Sequence, residues 1–336
     1  MLNYNSFDNP GLVKVLTFLQ THNTEYLSGQ DLSDVLRISR VAVWKHIKKI
    51  QELGYTVESK QKLGYKLISN SELLLPWEIT SNLKTKVIGQ QAYYFDTIDS
   101  TQNQALKMAD DTANTGAVIV ASKQTGGRGR SGRKWVSPKG GIWISIILHP
   151  KFDISITTLF PIASALALSI AIEKIFSIKP ELKWPNDLTI KGKKVAGMLV
   201  DVSLESNKIE NLVLGVGINF DVNVKQIEKS LKGTPNFYGV ASLNGEKQKI
   251  KQLQLVQSFL LELEKIYNLL NTKQTKKIIS EWTLRSSTIG KNIELETVDG
   301  KIKGKAVKID EDGALVVSEN SKTHKVIAGD IVHLSK

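Results

Sequence analysis

The spacing of apolar residues changes character twice along the chain and divides it into three segments. In residues 1–70 the pattern is that of two short helices and a pair of short strands. Leu32, Val35 and Leu36 share one helical face, and Val43, Ile47 and Ile50 share another. Ser28 followed by Asp31 is a capping-box start for the first helix. Arg37, Ile38 and Ser39 make a tight turn, and Ser39 caps a second helix running from Arg40 to about Glu52, with Arg40, Lys45, Lys48 and Lys49 toward solvent. Tyr55 to Glu58 and Gly64 to Ile68 are strand-like runs around Lys60, Gln61 and Lys62, a hairpin pattern. Residues 71–79, with Pro76 interrupting the pattern, read as a linker. Between 80 and 285 β-rich runs (Ala117 to Ala121, Ile142 to Leu148, Val195 to Val202, Leu212 to Phe220) alternate with helical ones (Thr158 to Phe176, Ile250 to Leu270). In 286–336 short alternating strands are separated by turns at Asp299–Gly300 and Asp312–Gly313, which predicts a small β-barrel.

Composition narrows this picture. At 336 residues the chain is long enough for two or three domains, and 41% hydrophobic residues supply a packed core. The most apolar run, Ile162 to Ile172, contains Ser164 and Ser169 and ends at Glu173 and Lys174, so it predicts a buried helix and no membrane span. The first ten residues lack the pattern of a secretory signal. Without cysteine there is no disulfide scaffold, thiolate zinc site or cysteine nucleophile, which is compatible with a cytoplasmic protein. The net charge of +12 is concentrated in residues 71–285, so it fits an anionic substrate or an acidic protein partner as well as nucleic acid.

Three stretches carry candidate chemistry. Between Arg37 and Lys49 there are five cations and no acid. Two helices joined by a tight turn, the second one basic, followed by a hairpin with lysines at its tip, predict a winged helix-turn-helix that binds DNA. The expected contacts are Gly29 and Gln30 on the first helix, Ser39, Arg40, Val41, Ala42, Trp44, Lys45, His46 and Lys48 on the second, and Lys60 and Lys62 on the wing. The run Gly126 to Lys134 holds four glycines and four cations in nine residues. Glycine lets backbone N–H groups approach an anion, and arginine adds a permanent forked charge, so this loop predicts a phosphate or carboxylate site. Its spacing matches neither a Walker loop nor a dinucleotide fingerprint. Lys183 to Asp187 (KWPND) leads into a turn at Gly192 and the run Lys194 to Gly197. Alone it is a strand–turn–strand with solvated lysines.

Taken together, Asp99 to Gln102 (DSTQ), Gln124 with Gly127 to Trp135 (GRGRSGRKW), Lys183 to Asp187, Lys194 to Gly197 and Gly215 to Asn219 (GVGIN) resemble the biotin–protein ligases, in that family's order. With the helix-turn-helix and the small C-terminal β-domain, the resemblance to the bifunctional ligase/repressor subgroup covers nearly the whole chain. It implies an α+β multidomain fold: an N-terminal winged helix-turn-helix, a central mixed α/β ligase domain like the class II aminoacyl-tRNA synthetases, and a C-terminal SH3-like β-barrel. It implies that biotin and ATP, with Mg²⁺, form biotinyl-5′-AMP, whose biotin then passes to a lysine on the acceptor domain of a biotin-dependent carboxylase. Lys194, Arg128 and Arg130 would be catalytic. Ser100, Thr101, Gln102, Gln124, Arg128, Gly129, Arg130, Lys194 and Gly197 would hold biotin, and Gln102 stands where many relatives have asparagine. Gly127, Arg130, Arg133, Trp135, Asn186, Asp187, Lys194 and Asn219 would hold the nucleotide, with Asp187 the candidate for the metal. Adenylate would promote a homodimer that binds operator DNA. The competing readings are a lipoate–protein ligase and a sensor-only winged-helix repressor.

Overall fold

The computed structural model describes residues 3–5, 9–233, 237–244, 251–297, 300–320 and 322–333. Asp299, half of one expected turn, lies outside them.

Strand β1 (Asn3–Asn5) leads into helices α1 (Pro10–Thr21), α2 (Gly29–Leu36) and α3 (Arg40–Glu52) and the hairpin β2 (Thr56–Lys60) and β3 (Gly64–Ser69). The caps form as the hydroxyls dictate: Ser28 Oγ accepts from the Asp31 amide at 3.0 Å, and Ser39 Oγ from the Ala42 amide at 3.2 Å. Val43, Ile47 and Ile50 are buried, as their spacing requires. Four details differ from the sequence reading. A third helix, α1, buries Leu12, Val15, Leu16 and Leu19. Val35 is 57% exposed, because the buried strip of α2 runs through Leu32 and Leu36 and leaves Val35 to one side. Lys49 is only half exposed, pairing with Glu52 at 3.0 Å while its ammonium lies 5.9 Å from the centre of the Tyr4 ring. The N-terminal segment also leaves its own domain, since β1 pairs antiparallel with a strand of the central sheet.

Residues 71–79 are not a solvated tether. Leu74, Leu75, Trp77 and Ile79 are buried around α4 (Pro76–Thr80). Tyr55 donates to the Glu78 carboxylate at 2.5 Å and Trp77 Nε1 donates to Tyr55 at 2.9 Å. The apolar content of the stretch explains this, because a loose linker would leave all those side chains in water.

The central unit contains β4 (Ala92–Ile98), α5 (Thr101–Leu106), β5 (Val118–Gln124), β6 (Ile142–Leu148), α6 (Phe160–Phe176), β7 (Glu181–Lys183), β8 (Asp187–Ile190), β9 (Lys193–Glu205), β10 (Lys208–Ile218), α7 (Val224–Leu231), α8 (Gln252–Asn271) and α9 (Thr275–Thr283). Its sheet has the order β1-β4-β5-β6-β10-β9-β8-β7, with only β4 and β5 parallel. Helix α5 and the turn after it cover one face, packing Ala105 and Ala109 on Ile119, Ile147 and Val213. Helices α6 and α8 pack together over the other face. With both faces covered, β6 is buried at every position, which is why its sequence is almost continuously apolar. Among the described residues no helix is long and apolar enough to cross a membrane.

Glu264 of α8 ties this layer down. Its carboxylate accepts from the amides of Lys86, Val87 and Ile88 at 2.6, 2.8 and 2.8 Å. Glu264→Gln removes the charge and turns an NH₂ toward those donors, so it should lower unfolding stability by about 3 kcal/mol. Denaturant unfolding measures this, and an unchanged midpoint would contradict it.

The last unit is a five-stranded antiparallel sheet, β11 (Asn292–Thr297), β12 (Gly300–Ile309), β13 (Leu315–Glu319), β14 (Lys322–Val326) and β15 (Asp330–His333), in the order β14-β13-β12-β11-β15. It docks on the central unit through Trp184, whose Nε1 donates to the Gly313 carbonyl at 3.1 Å and whose amide donates to Thr288 at 3.1 Å. Trp184 of the KWPND run is thus a structural plug beside the site.

Candidate active site

The glycine–arginine stretch folds back on itself rather than waving free. The Gly129 amide donates to the Arg133 carbonyl at 2.6 Å, and the Trp135 amide to the Gly127 carbonyl at 2.9 Å. Ser131 and Gly132 turn the chain at φ +52° and +71°. A Cβ on Gly127 would fall 2.4 Å from the Trp135 carbonyl oxygen, so only glycine admits this return.

The folded loop forms one wall of a cavity of about 290 Å³. The floor is a row of glycines on β9 and β10, where Gly197 lies directly opposite Gly217 and Gly215 opposite Leu199. A Cβ on Gly217 would lie 2.4 Å from Trp135 Nε1, and one on Gly197 3.1 Å from Lys194 Cε. The missing side chains are what let Trp135 and Lys194 lie across the floor. Trp135 Nε1 is buried and finds no hydrogen-bond partner among the described residues.

Charge in the cavity is strongly one-sided. Among the described residues Arg130, Arg133, Lys134, Lys183 and Lys194 line it, with one carboxylate, Asp187. Lys194 Nζ is 2.7 Å from Asp187 Oδ1 and 5.0 Å from the Trp135 ring centre. The other Asp187 oxygen accepts from the Tyr238 hydroxyl at 2.6 Å, and Lys183 Nζ lies 3.5 Å from the centre of the Tyr238 ring. Burial, and then the Asp187 charge beside it, push the Tyr238 phenol far above its usual range, so it stays a donor. Arg130 donates to Asn186 at 3.2 Å, and Asn186 in turn donates to the Met198 carbonyl. Asn219 reaches back to the Lys194 carbonyl at 3.4 Å. Such a site takes an anion, with an apolar lining from Trp135, Met198, Ile227 and Phe237 for its neutral part.

The expected site residues divide in two. Gly129, Arg130, Arg133, Trp135, Asn186, Asp187, Lys194, Gly197 and Asn219 line the cavity. Ser100, Thr101, Gln102, Gln124, Gly127 and Arg128 do not. Ser100, Thr101 and Gln102 are buried at the start of α5, in their own network. Gln124 Oε1 accepts from the Thr101 amide and hydroxyl at 2.7 and 3.0 Å, and Gln102 donates to Asp201 at 3.1 Å and to the Val213 carbonyl at 3.0 Å. Gln102 lies on the same face of the sheet as Trp135, one strand position along, its Oε1 2.6 Å from where a Gly215 side chain would begin. Arg128 turns outward to Asn103 at 3.0 Å and Asp201 at 3.6 Å. Asp187 is also poorly suited to anchor a resident metal. Both its oxygens are engaged, and no cluster of three or more metal-ligating side chains occurs among the described residues. Among the described residues, then, the side chains at the cavity do not by themselves make a resident Mg²⁺ site.

A second concave surface of about 670 Å³ lies between α3 and the wing, lined by Gly29, Gln30, Arg40, Val41, Trp44, Lys60 and Lys62 among others. Val41 and Trp44 are 63% and 51% exposed, which on a basic helix suits contact with base edges and sugars. Lys45 and Lys48 are exposed beside it. Ser39 is spent as a cap. His46 faces α1, where a Cβ on Gly11 would meet its Nε2 at 2.9 Å, and burial lowers its pKa.

The chain matches the biotin/lipoate A/B protein ligase family over residues 94–219, a helix-turn-helix domain over 12–66 and the biotin protein ligase C-terminal domain over 288–334. It is 37% identical over 315 residues to a bifunctional ligase/repressor of Bacillus subtilis, covering 94% of this chain and 95% of the relative. The chain belongs to the bifunctional biotin–protein ligase/repressor family. The Escherichia coli member is 27% identical over 96% of this chain and 97% of its own. Among solved structures, the biotin protein ligase of Aquifex aeolicus in complex with biotin and ATP is 27% identical with a TM-score of 0.56, covering 73% of this chain and 99% of its own.

Sequence patterns missed Lys183, Met198, Phe237 and Tyr238 on the cavity wall. Lys183 opens the recognised KWPND run and Met198 follows the run Lys194 to Gly197, so both could have been carried into the site with those motifs. Nothing in the run Phe237 to Gly239 marks Tyr238 as the partner of Asp187.

Proposed function

We infer that the protein joins biotin to ATP and passes the biotinyl group to a lysine of a biotin-acceptor domain. The observation that carries this is the family's lysine, Lys194, lying on a glycine floor with four other cations, Arg130, Arg133, Lys134 and Lys183, and paired to Asp187. Adenylation needs two mutually repelling anions, a carboxylate and a triphosphate, brought together. The carboxylate oxygen of biotin bonds to the α-phosphorus as the bond from that phosphorus to the β-phosphate bridge breaks, and pyrophosphate leaves. Lys194 stabilises the charge that grows on the α-phosphate, while Arg130 and Arg133 hold the phosphate side. Asn186 orients Arg130 through their hydrogen bond. Trp135 offers a flat apolar surface to the purine. Ser100, Thr101, Gln102, Gln124 and Arg128 border the cavity, Gln102 on the same face of the sheet as Trp135, and become biotin contacts as the ligand extends past Gly215. The acceptor lysine then attacks the acyl carbon and AMP leaves.

The N-terminal unit gives the same chain a DNA reader, with Gln30, Arg40, Val41, Ala42, Trp44, Lys45 and Lys48 facing the duplex and Lys60 and Lys62 of the wing on phosphates. Adenylate favours a homodimer that places two readers on a two-fold operator. The reaction consumes ATP and modifies a carboxylase, and a cytoplasmic setting that supplies ATP, acceptor and operator DNA together suits both halves of this reading. The units are 1–70, 80–285 and 286–336, with 71–79 as the packed joint.

The test incubates the full chain with biotin, MgATP and an acceptor domain and weighs the acceptor. A gain of one biotinyl group is expected, with none from lipoate. A mass gain from lipoate alone would make the protein a lipoate ligase; no gain from either, with biotin still bound, would leave a sensor. The regulatory half fails if adenylate does not tighten operator binding at fixed salt.

A further inference from the structure

We propose that Tyr238 is a positioning residue for adenylate formation, holding Asp187 so that Asp187 in turn fixes the reach of Lys194; this rests on the role given to Lys194 above. A lysine ammonium sits on four rotatable carbons, and the open glycine floor beneath it offers nothing to brace against. Asp187 supplies the brace, at 2.7 Å. A lone carboxylate would be a poor one, because its terminal torsion is soft and broad. Here one oxygen is held by the ammonium and the other by the Tyr238 hydroxyl at 2.6 Å, so the carboxylate cannot rotate without losing a partner.

Two further contacts make Tyr238 a fixed point. Lys183 Nζ stands 3.5 Å from the centre of its ring, which restrains the ring and, by drawing electron density from it, strengthens the phenol as a donor. Its backbone is tied to the residue it serves. The Lys194 amide donates to the Gly239 carbonyl at 3.0 Å and the Ala241 amide to the Lys194 carbonyl at 2.8 Å, so the segment after Tyr238 runs beside Lys194 as a short parallel bridge. The hydroxyl also takes up part of the Asp187 charge. Lys194 is thereby aimed by Asp187 without being held so tightly that it cannot turn to an incoming carboxylate and α-phosphate.

The test uses the full chain and follows pyrophosphate release with biotin and MgATP in Tyr238→Phe, Asp187→Asn, the double variant and Lys194→Gln. Tyr238→Phe keeps the ring and its cation contact and removes only the hydroxyl. The expected result is a kcat about tenfold lower, with KM for biotin changed less than about twofold. The double variant should be no slower than Asp187→Asn alone, because a neutral amide no longer needs the phenol. A thermal melt of each variant keeps loss of fold apart from loss of rate. Wild-type kcat in a folded Tyr238→Phe, or losses that multiply in the double variant, would overturn the positioning role. If Lys194→Gln is slow while Tyr238→Phe is not, only this proposal falls. If Lys194→Gln keeps wild-type turnover, the reading of the site falls with it.

Discussion

Lys194→Ala is expected to slow biotinyl-adenylate formation by about a thousandfold. Removing one charged donor from a preorganised anion site costs on the order of 10² to 10³ in rate. Here the loss is at the upper end, because it also uncovers Asp187. That carboxylate is only 15% exposed and would face two incoming anions without its partner. The same uncovering threatens the fold, since breaking a part-buried ion pair leaves an uncompensated charge. The double variant Lys194→Ala/Asp187→Asn separates the two effects: it should recover thermal stability lost by Lys194→Ala while leaving adenylation slow. Pyrophosphate release and a thermal melt on the same preparations read both. A double variant that regained wild-type turnover would show that Lys194 acts only by neutralising Asp187.

The second large effect is expected at the wing. Gly64 has φ +110°, and a Cβ there would lie 2.0 Å from the Leu27 carbonyl oxygen and 2.7 Å from Ser28 Cα. These are backbone atoms and cannot step aside. The close approach exists because Leu27 and Tyr65 exchange two backbone hydrogen bonds, both 2.9 Å, which fasten the wing to the chain entering α2. Gly64→Ala must open that fastening and strain the backbone as well, at a cost of about 3 kcal/mol to the docked wing. Operator binding at fixed salt should then weaken by about a hundredfold. Biotin transfer should be unchanged, because nothing in the cavity touches this turn. Fluorescence anisotropy with an operator duplex and the acceptor mass assay check the two halves. Unchanged DNA affinity would mean that the wing is not a DNA contact. Lost ligase activity would mean that the two units fold as one.

The chemistry was legible where it was local. The glycine–arginine run and the lysine motif each need their residues within one turn of chain, so composition and spacing expose them. The caps at Ser28 and Ser39 were legible for the same reason, since a hydroxyl and an amide three residues apart need no other part of the protein. Arg128 shows where this stops. It is two residues from Arg130 in the same loop, yet the return of the loop on itself sends it to Asn103 and Asp201, away from the cavity. Gln102 likewise has the right chemistry for a ligand, but packing over Gly215 lets Asp201 and the Val213 carbonyl satisfy its amide.

Period and composition alone were enough to read the three-part order and the helix-turn-helix and to point to an anion-binding loop, because amphipathic spacing, caps and charge density act within a segment. The tertiary structure alone decided that β1 crosses to the central sheet, that residues 71–79 are packed around Glu78, and that Tyr238 meets Asp187. Each of those joins elements distant in the chain, and which side chain meets which is set by sheet order and register, quantities that no local pattern encodes.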